Sequence, residues 1–212
     1  MKRVGFMVVA LSLLAVFIWV LRARRLRQAP ASSVTTQEAR RMDAEGYDEY
    51  VGSAPLLTVR FQYPAGWSLQ EEQGQQQPFR QVRIMGPRNA DETYRCYLAV
   101  LATPMAAAGG AHASVEEMAR QYAGHLQRDA QVVASQDASL AGAKGRDLTV
   151  SYTQSAWRFH GVHQPGPVPV KVRTLLLQKG ATLYQLTLSA DAREYERYAP
   201  VFERLLRSFQ FQ

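Results

Sequence analysis

Thiol chemistry is almost absent from this chain. Cys96 stands alone among 212 residues, so no internal disulfide and no metal site of several cysteines can form. Histidine is scarce too, with His112, His125, His160 and His163. The sequence has no Ser-His-Asp order, no P-loop and no dinucleotide fingerprint. Gly109-Gly110 lacks the Lys-Ser/Thr that a phosphate loop needs. The first 27 residues contain no acidic side chain. Together these absences remove the familiar catalytic sets and leave binding as the role to weigh first.

The basic charge is concentrated at one end. Residues 1–27 hold six basic residues: Lys2, Arg3, Arg22, Arg24, Arg25 and Arg27. The rest of the chain holds nineteen basic and eighteen acidic residues, a net of +1. A sequence pI near 9.7 therefore describes the N-terminal segment, which argues against a nucleic-acid partner for the folded part. The arginines flank an uncharged run of eighteen residues, Val4 to Leu21. As a helix this run is about 27 Å long, enough to span a bilayer core. It reads as an uncleaved anchor. The rival is a cleaved signal peptide, whose apolar region is shorter and lies close to its cleavage site. Ala29-Pro30-Ala31 resembles such a site but falls eight residues past the run. No cysteine is nearby, which excludes a lipoprotein anchor.

Three segments follow from this reading. Residues 1–27 are a transmembrane anchor with basic flanks. Residues 28–55, polar and rich in Ala, Ser, Thr and acidic side chains, are a flexible tether. Residues 56–212 are the folded domain. Its first strand alternates Leu57, Val59, Phe61 and Tyr63 against Thr58, Arg60 and Gln62. Pro64 and Gly66 then turn the chain, and Trp67 is expected to plug a sheet corner. "FRQVRIMGP" and "ETYRCYLAVLATP" read as strands, and "MAAAGGAHA" as a small-residue loop. Ser114 with Glu117 forms a capping box opening a helix on which Val115, Met118, Tyr122 and Leu126 share a face. Four strands follow, the last two joined by a tight turn at Lys179-Gly180. A final helix is expected to be capped at Asp191, with Glu194 three residues on and Pro200 kinking or restarting it. Its stripe is Tyr195, Tyr198, Phe202, Leu205 and Phe209. The fold class is α+β: a largely antiparallel sheet packed by two main amphipathic helices.

"FQYPAGW", "GAKGRDLTVSYTQ", "LLLQKGATLYQLTLSA" and the ending "YAPVFERLLRSFQF", in that order, resemble the PsbP-like α/β/α sandwich family over roughly residues 56–212. The resemblance implies a sheet between helices and, usually, no catalysis. Its members are accessory subunits, a Ran-GTPase-binding relative, bacterial lipoproteins and secretion chaperones, all acting by binding partners. It also implies an envelope protein with an extracytoplasmic domain, although the flanking charges favour the opposite orientation by a single charge.

The candidate interface is the proline-stiffened loop "SAWRFHGVHQPGPVPV", with Trp157, Arg158, Phe159 and His160 as the groups suited to a protein partner. The contrasting reading has Trp157 and Phe159 capping the end of the sheet core. His160 and His163 are weak metal candidates that would need a carboxylate from elsewhere. The strand around Cys96 makes it a buried, inert thiol. The expected function is that of a membrane-anchored, non-enzymatic accessory or assembly protein, without a cofactor, bound to the membrane through residues 4–21 and to a protein partner. The alternative is a ligand- or metal-binding envelope sensor, or an uncharacterised enzyme.

Overall fold

Period-two alternation in the last third of the chain builds the centre of the molecule. Strands β8 (Val168–Lys179) and β9 (Thr182–Asp191) pair antiparallel from Val170↔Asp191 to Lys179↔Thr182. Gly180, at φ +58°, opens the two-residue turn between them, as the twist of a tight hairpin requires. Leu183 then faces one side of the sheet, while Tyr184, Leu186 and Leu188 face the other.

The computed structural model describes residues 46–74, 78–109, 114–125, 130–154 and 166–212. The remaining elements are β1 (Tyr47–Val51), β2 (Val59–Pro64), β3 (Ser68–Gln73), β4 (Arg80–Arg88), β5 (Arg95–Pro104), α1 (Met105–Gly109), α2 (Val115–His125), β6 (Gln131–Leu140), β7 (Ala143–Gln154), α3 (Tyr195–Ser208) and β10 (Gln210–Phe211). Seven strands form one sheet in the order β3-β4-β5-β9-β8-β7-β6, and β1-β2-β10 form a second, smaller sheet. Every pairing between these strands is antiparallel.

Each face of the large sheet has its own helix. α2 buries Val115, Met118 and Ala119 against Leu148, Leu176 and Leu183. Its predicted cap is formed, with the Glu117 N–H donating to Ser114 Oγ at 3.1 Å. Leu126 lies outside the described residues. α3 buries Tyr195, Tyr198, Val201, Phe202, Leu205 and Leu206 against the other face and β2. Arg173 holds α3 to the sheet: its Nε and Nη2 donate to Asp147 at 3.0 and 2.8 Å, and its Nη1 donates to Glu203.

Several expectations change. The segment read as tether, residues 28–55, contains β1, whose residues pair from Tyr47↔Pro64 to Val51↔Arg60. The fold therefore begins ahead of residue 56. β2, read as the first strand of the domain, follows β1 and belongs to the small sheet. "MAAAGGAHA", read as a loop, opens with the short helix α1, which adds a third helix among the described residues to the two main ones. The last helix starts at Tyr195, with Glu194 as N-cap and no side-chain cap, because Asp191 is engaged elsewhere. Pro200 lies inside an unbroken helix. No helix among the described residues is long and apolar enough to cross a membrane. The expected anchor at residues 4–21 and the expected tether up to residue 45 lie outside them.

Trp67 packs against the core after the β2 turn, though it is half-buried rather than enclosed. Gly66, at φ +82°, turns the chain, and the indole sets its edge against the Tyr198 ring at 6.1 Å. Gly86 makes room for it, since a Cβ there would come within 2.6 Å of the indole. Arg197 lies over the same Tyr198 ring at 5.5 Å. Its Nε and Nη2 are the only buried side-chain polar atoms among the described residues that lack a hydrogen-bond partner. The Tyr198 ring and Glu194, at 3.8 Å, compensate in part.

Candidate functional site

Direct opposition across strands places side chains on one face. The register runs Met85↔Tyr97, Tyr97↔Ser189, Ser189↔Val172 and Val172↔Val150, so these residues share the α2 side of the sheet. Tyr152, opposite Val170, joins them. Here the layer is rich in hydroxyls. Tyr94 and Ser189 share a hydrogen bond of 2.6 Å between their hydroxyls. Tyr122 and Thr174 share one of 3.2 Å, and Thr174 and Thr187 one of 3.3 Å. Burial first, and then neighbouring phenols, raise Tyr94 and Tyr152 well above the usual tyrosine range. Burial pushes Tyr122 up to about 12, although its bond to Thr174 works against the rise. All three phenols are neutral at physiological pH and can donate or accept hydrogen bonds but do not titrate.

Beside this layer, β4 and β5 end in a tight turn with Arg88 directly opposite Arg95. A bulge between Met85 and Arg88 interrupts the register, as bulges do where a side chain is re-aimed. The turn is held from several sides. Asn89 Nδ2 donates to Asp191 Oδ2 at 2.6 Å, and the Ala90 N–H donates to Glu194 Oε1 at 3.0 Å. Arg193 bridges Asp91 and Asp191 at 2.9 and 2.5 Å. Glu92 adopts φ +59°, a left-handed conformation that such a clamp can sustain.

The clamp sets a pH dependence. The Thr93 hydroxyl bond and the Arg193 guanidinium hold Asp91 down at about 2, against the opposing effect of burial. Burial alone would raise Asp191, but bonds from Arg193 and Asn89 outweigh it and lower its pKa. A carboxylate depressed in the folded state contributes stability above its unfolded pKa of about 4 and loses it as pH falls through the folded value. Asp91→Asn should therefore be less stable than wild type in urea at pH 6. That gap should close as pH falls from about 4 toward 2. A gap that stays constant over this range would show that Asp91 acts without its charge.

Trp157, Arg158, Phe159, His160 and His163 lie outside the described residues. The structure fixes where their segment leaves the sheet, because Gln154 opposes Val168 at the ends of β7 and β8, two residues beyond Tyr152 and Val170. Cys96 is buried on the α3 face, and burial raises its thiol well above the usual range. Among the described residues, no three His, Cys, Asp or Glu side chains group to hold a metal. The reading of the sequence missed Tyr94, Tyr97, Arg88 and Arg95. Alternation in "ETYRCYLAV" does put Arg95 and Tyr97 on the face opposite Cys96 and Leu98, so part of the signal was present.

A family model described as PsbP matches residues 46–211, a span that takes in β1. Among solved structures, the chain is similar to cyanobacterial PsbP (CyanoP) from Synechocystis sp. PCC 6803. The identity is 12%, over 88% of this chain and 99% of that one, with a TM-score of 0.49. It is also similar to LpqN of Mycobacterium tuberculosis, which is described as involved in cell envelope biogenesis. That match has 14% identity over 86% and 98% of the two chains and a TM-score of 0.45. A third is the Saccharomyces cerevisiae Ran-binding protein Mog1p, with 10% identity over 79% and 96% and a TM-score of 0.49. No curated protein matched the chain in sequence.

Proposed function

The chain belongs to the PsbP family, and from that premise we propose that it is a membrane-anchored, non-enzymatic accessory or assembly protein. Its domain lies outside the cytoplasm and binds a protein partner with the sheet end that carries the Trp157–His160 loop. One observation carries the binding reading over a catalytic one. At this end the titratable groups with large shifts move away from neutrality: Tyr94 and Tyr152 upward, and Asp91 downward. Catalytic acids and bases are tuned toward the working pH. Neutral hydroxyls and permanently charged groups on a pinned scaffold suit recognition instead.

Co-purification from detergent extracts tests the reading, using full-length chain with a reporter fused after Gln212. The reporter should be active only on the outer side of the membrane. A specific partner should be recovered with the wild type and lost with Trp157→Ala plus Phe159→Ala. Recovery of the same partners by that variant would remove the loop from the interface. A reporter active inside would reverse the assigned side.

A further inference from the structure

We propose that Arg88 and Arg95 form a carboxylate-binding pair that takes a short acidic segment of a protein partner. This inference rests on the partner-binding reading above and gives that surface its chemistry.

Like charges directly opposed across an antiparallel pair destabilise a sheet, yet the register sets these two arginines against each other. Both residues are exposed. Six arginines of the domain carry a carboxylate close by, Arg60, Arg83, Arg146, Arg173, Arg193 and Arg197, whereas Arg80, Arg120, Arg204 and Arg207 form no ion pair among the described residues and are not opposed to a second arginine. Among the described residues Arg88 and Arg95 have none within ion-pair distance. Partial enclosure of its otherwise exposed side chain, and then the neighbouring Arg88, lower the pKa of Arg95. The acidic groups of the connecting turn do not supply one. Asp91 is held by Thr93 and Arg193. Glu92 gives Arg88 only its backbone carbonyl, at 2.9 Å.

The pair is also pre-positioned. It sits at the two ends of the turn that Asp191, Glu194 and Arg193 hold in place, so little ordering remains to be done on binding. Tyr97 follows Arg95 on the same face of β5, which adds an aromatic surface beside two guanidiniums. Guanidinium forks match carboxylates in geometry. The occupant is a short acidic segment rather than a membrane or nucleic acid, because the third arginine of this turn, Arg193, is already paired with Asp91 and Asp191, leaving Arg88 and Arg95 as its unpaired cations. Asp91 and Glu92 border it, and residues 28–212 carry a net charge of only +1. An extended polyanion requires a broad basic field.

The test uses full-length protein in detergent and fluorescein-labelled hexaglutamate, followed by anisotropy. Wild type should bind the peptide in a salt-sensitive manner. Arg88→Gln plus Arg95→Gln should weaken binding by roughly 10-fold or more, and Arg60→Gln should leave it unchanged. A second readout separates binding from structure. Removing one of two opposed charges relieves repulsion, so Arg95→Gln alone should raise the melting temperature of the free protein by about 1–3 °C. Equal peptide binding by the double variant, or a melting temperature that falls in Arg95→Gln, would overturn the pair as a ligand site. Inorganic phosphate or phosphatidylserine vesicles binding more tightly than hexaglutamate, and depending on the same arginines, would overturn the acidic segment in favour of a phosphate. A partner retained by the double arginine variant but lost by the Trp157/Phe159 variant would sink this inference and leave the proposed function standing. Arginine-dependent peptide binding without any recovered partner would do the reverse.

Discussion

Phe61→Ala should destabilise the domain by about 4 kcal/mol and lower its melting temperature by roughly 10 °C. The ring is fully buried on the central strand of the small sheet. It stacks on Tyr50 at 5.0 Å and on Phe209 at 6.3 Å. Phe209 meets Phe211 at 5.1 Å, and Phe211 meets Tyr184 of β9 at 4.9 Å. Phe61 thus opens an aromatic series that joins the small sheet to the large one. Truncation removes the transfer energy of the ring and leaves a cavity between Tyr50 and Phe209. Phe61→Leu should recover more than half of the loss, since much of the volume returns. Urea unfolding of both variants checks this. A cost below about 1 kcal/mol for Phe61→Ala would mean that the two sheets are joined in some other way.

Gly145→Ala should be about as damaging for a different reason. Gly145 lies in β7 opposite Leu177, and a Cβ there would sit 1.8 Å from the Leu176 carbonyl oxygen and 2.9 Å from the Leu177 Cα. Both obstacles are backbone, so no side-chain rotation clears them. The β7–β8 ladder must part locally, at a cost of about 3 kcal/mol or more. That ladder is the attachment of the β6–β7 hairpin to the sheet. Faster hydrogen exchange across residues 131–154, with β4 and β5 unaffected, is the expected signature. Unchanged exchange in that hairpin would show that the strands can separate without loss.

The hairpins were legible in the sequence because their causes are local. Alternation in "ATLYQLTLSA" gives both faces of β9, Gly180 gives its turn, and Ser114 with Glu117 gives the cap of α2. What escaped depends on distant partners. "YDEYV" reads as polar tether because only Tyr50 among its five residues is buried, and its strand state comes from β2. Asp191 looked like a helix cap, but its carboxylate accepts from the Arg193 N–H two residues on, as in an Asx turn, and from Asn89, a distant partner that no local rule reveals. The candidate site was half legible. Alternation put Arg95 beside Tyr97, but the opposition of Arg88 depends on a bulge that shifts the β4–β5 register.

β2 has a consequence for the order in which the molecule can be made. Its two neighbours are β1, which precedes it, and β10, which closes the domain. The Gln62 N–H also donates to Ser208 Oγ, 146 residues away, at 2.8 Å. As the chain leaves the ribosome, β4–β5 and the later hairpins can pair as soon as both strands have emerged. Leu57, Val59 and Phe61 must wait for the last seventeen or so residues, with nearly the whole domain as the loop to be closed. Until α3 and β10 arrive, the most apolar strand near the start of the fold has no cover. A nascent or C-terminally truncated chain is therefore where this protein is most exposed to aggregation.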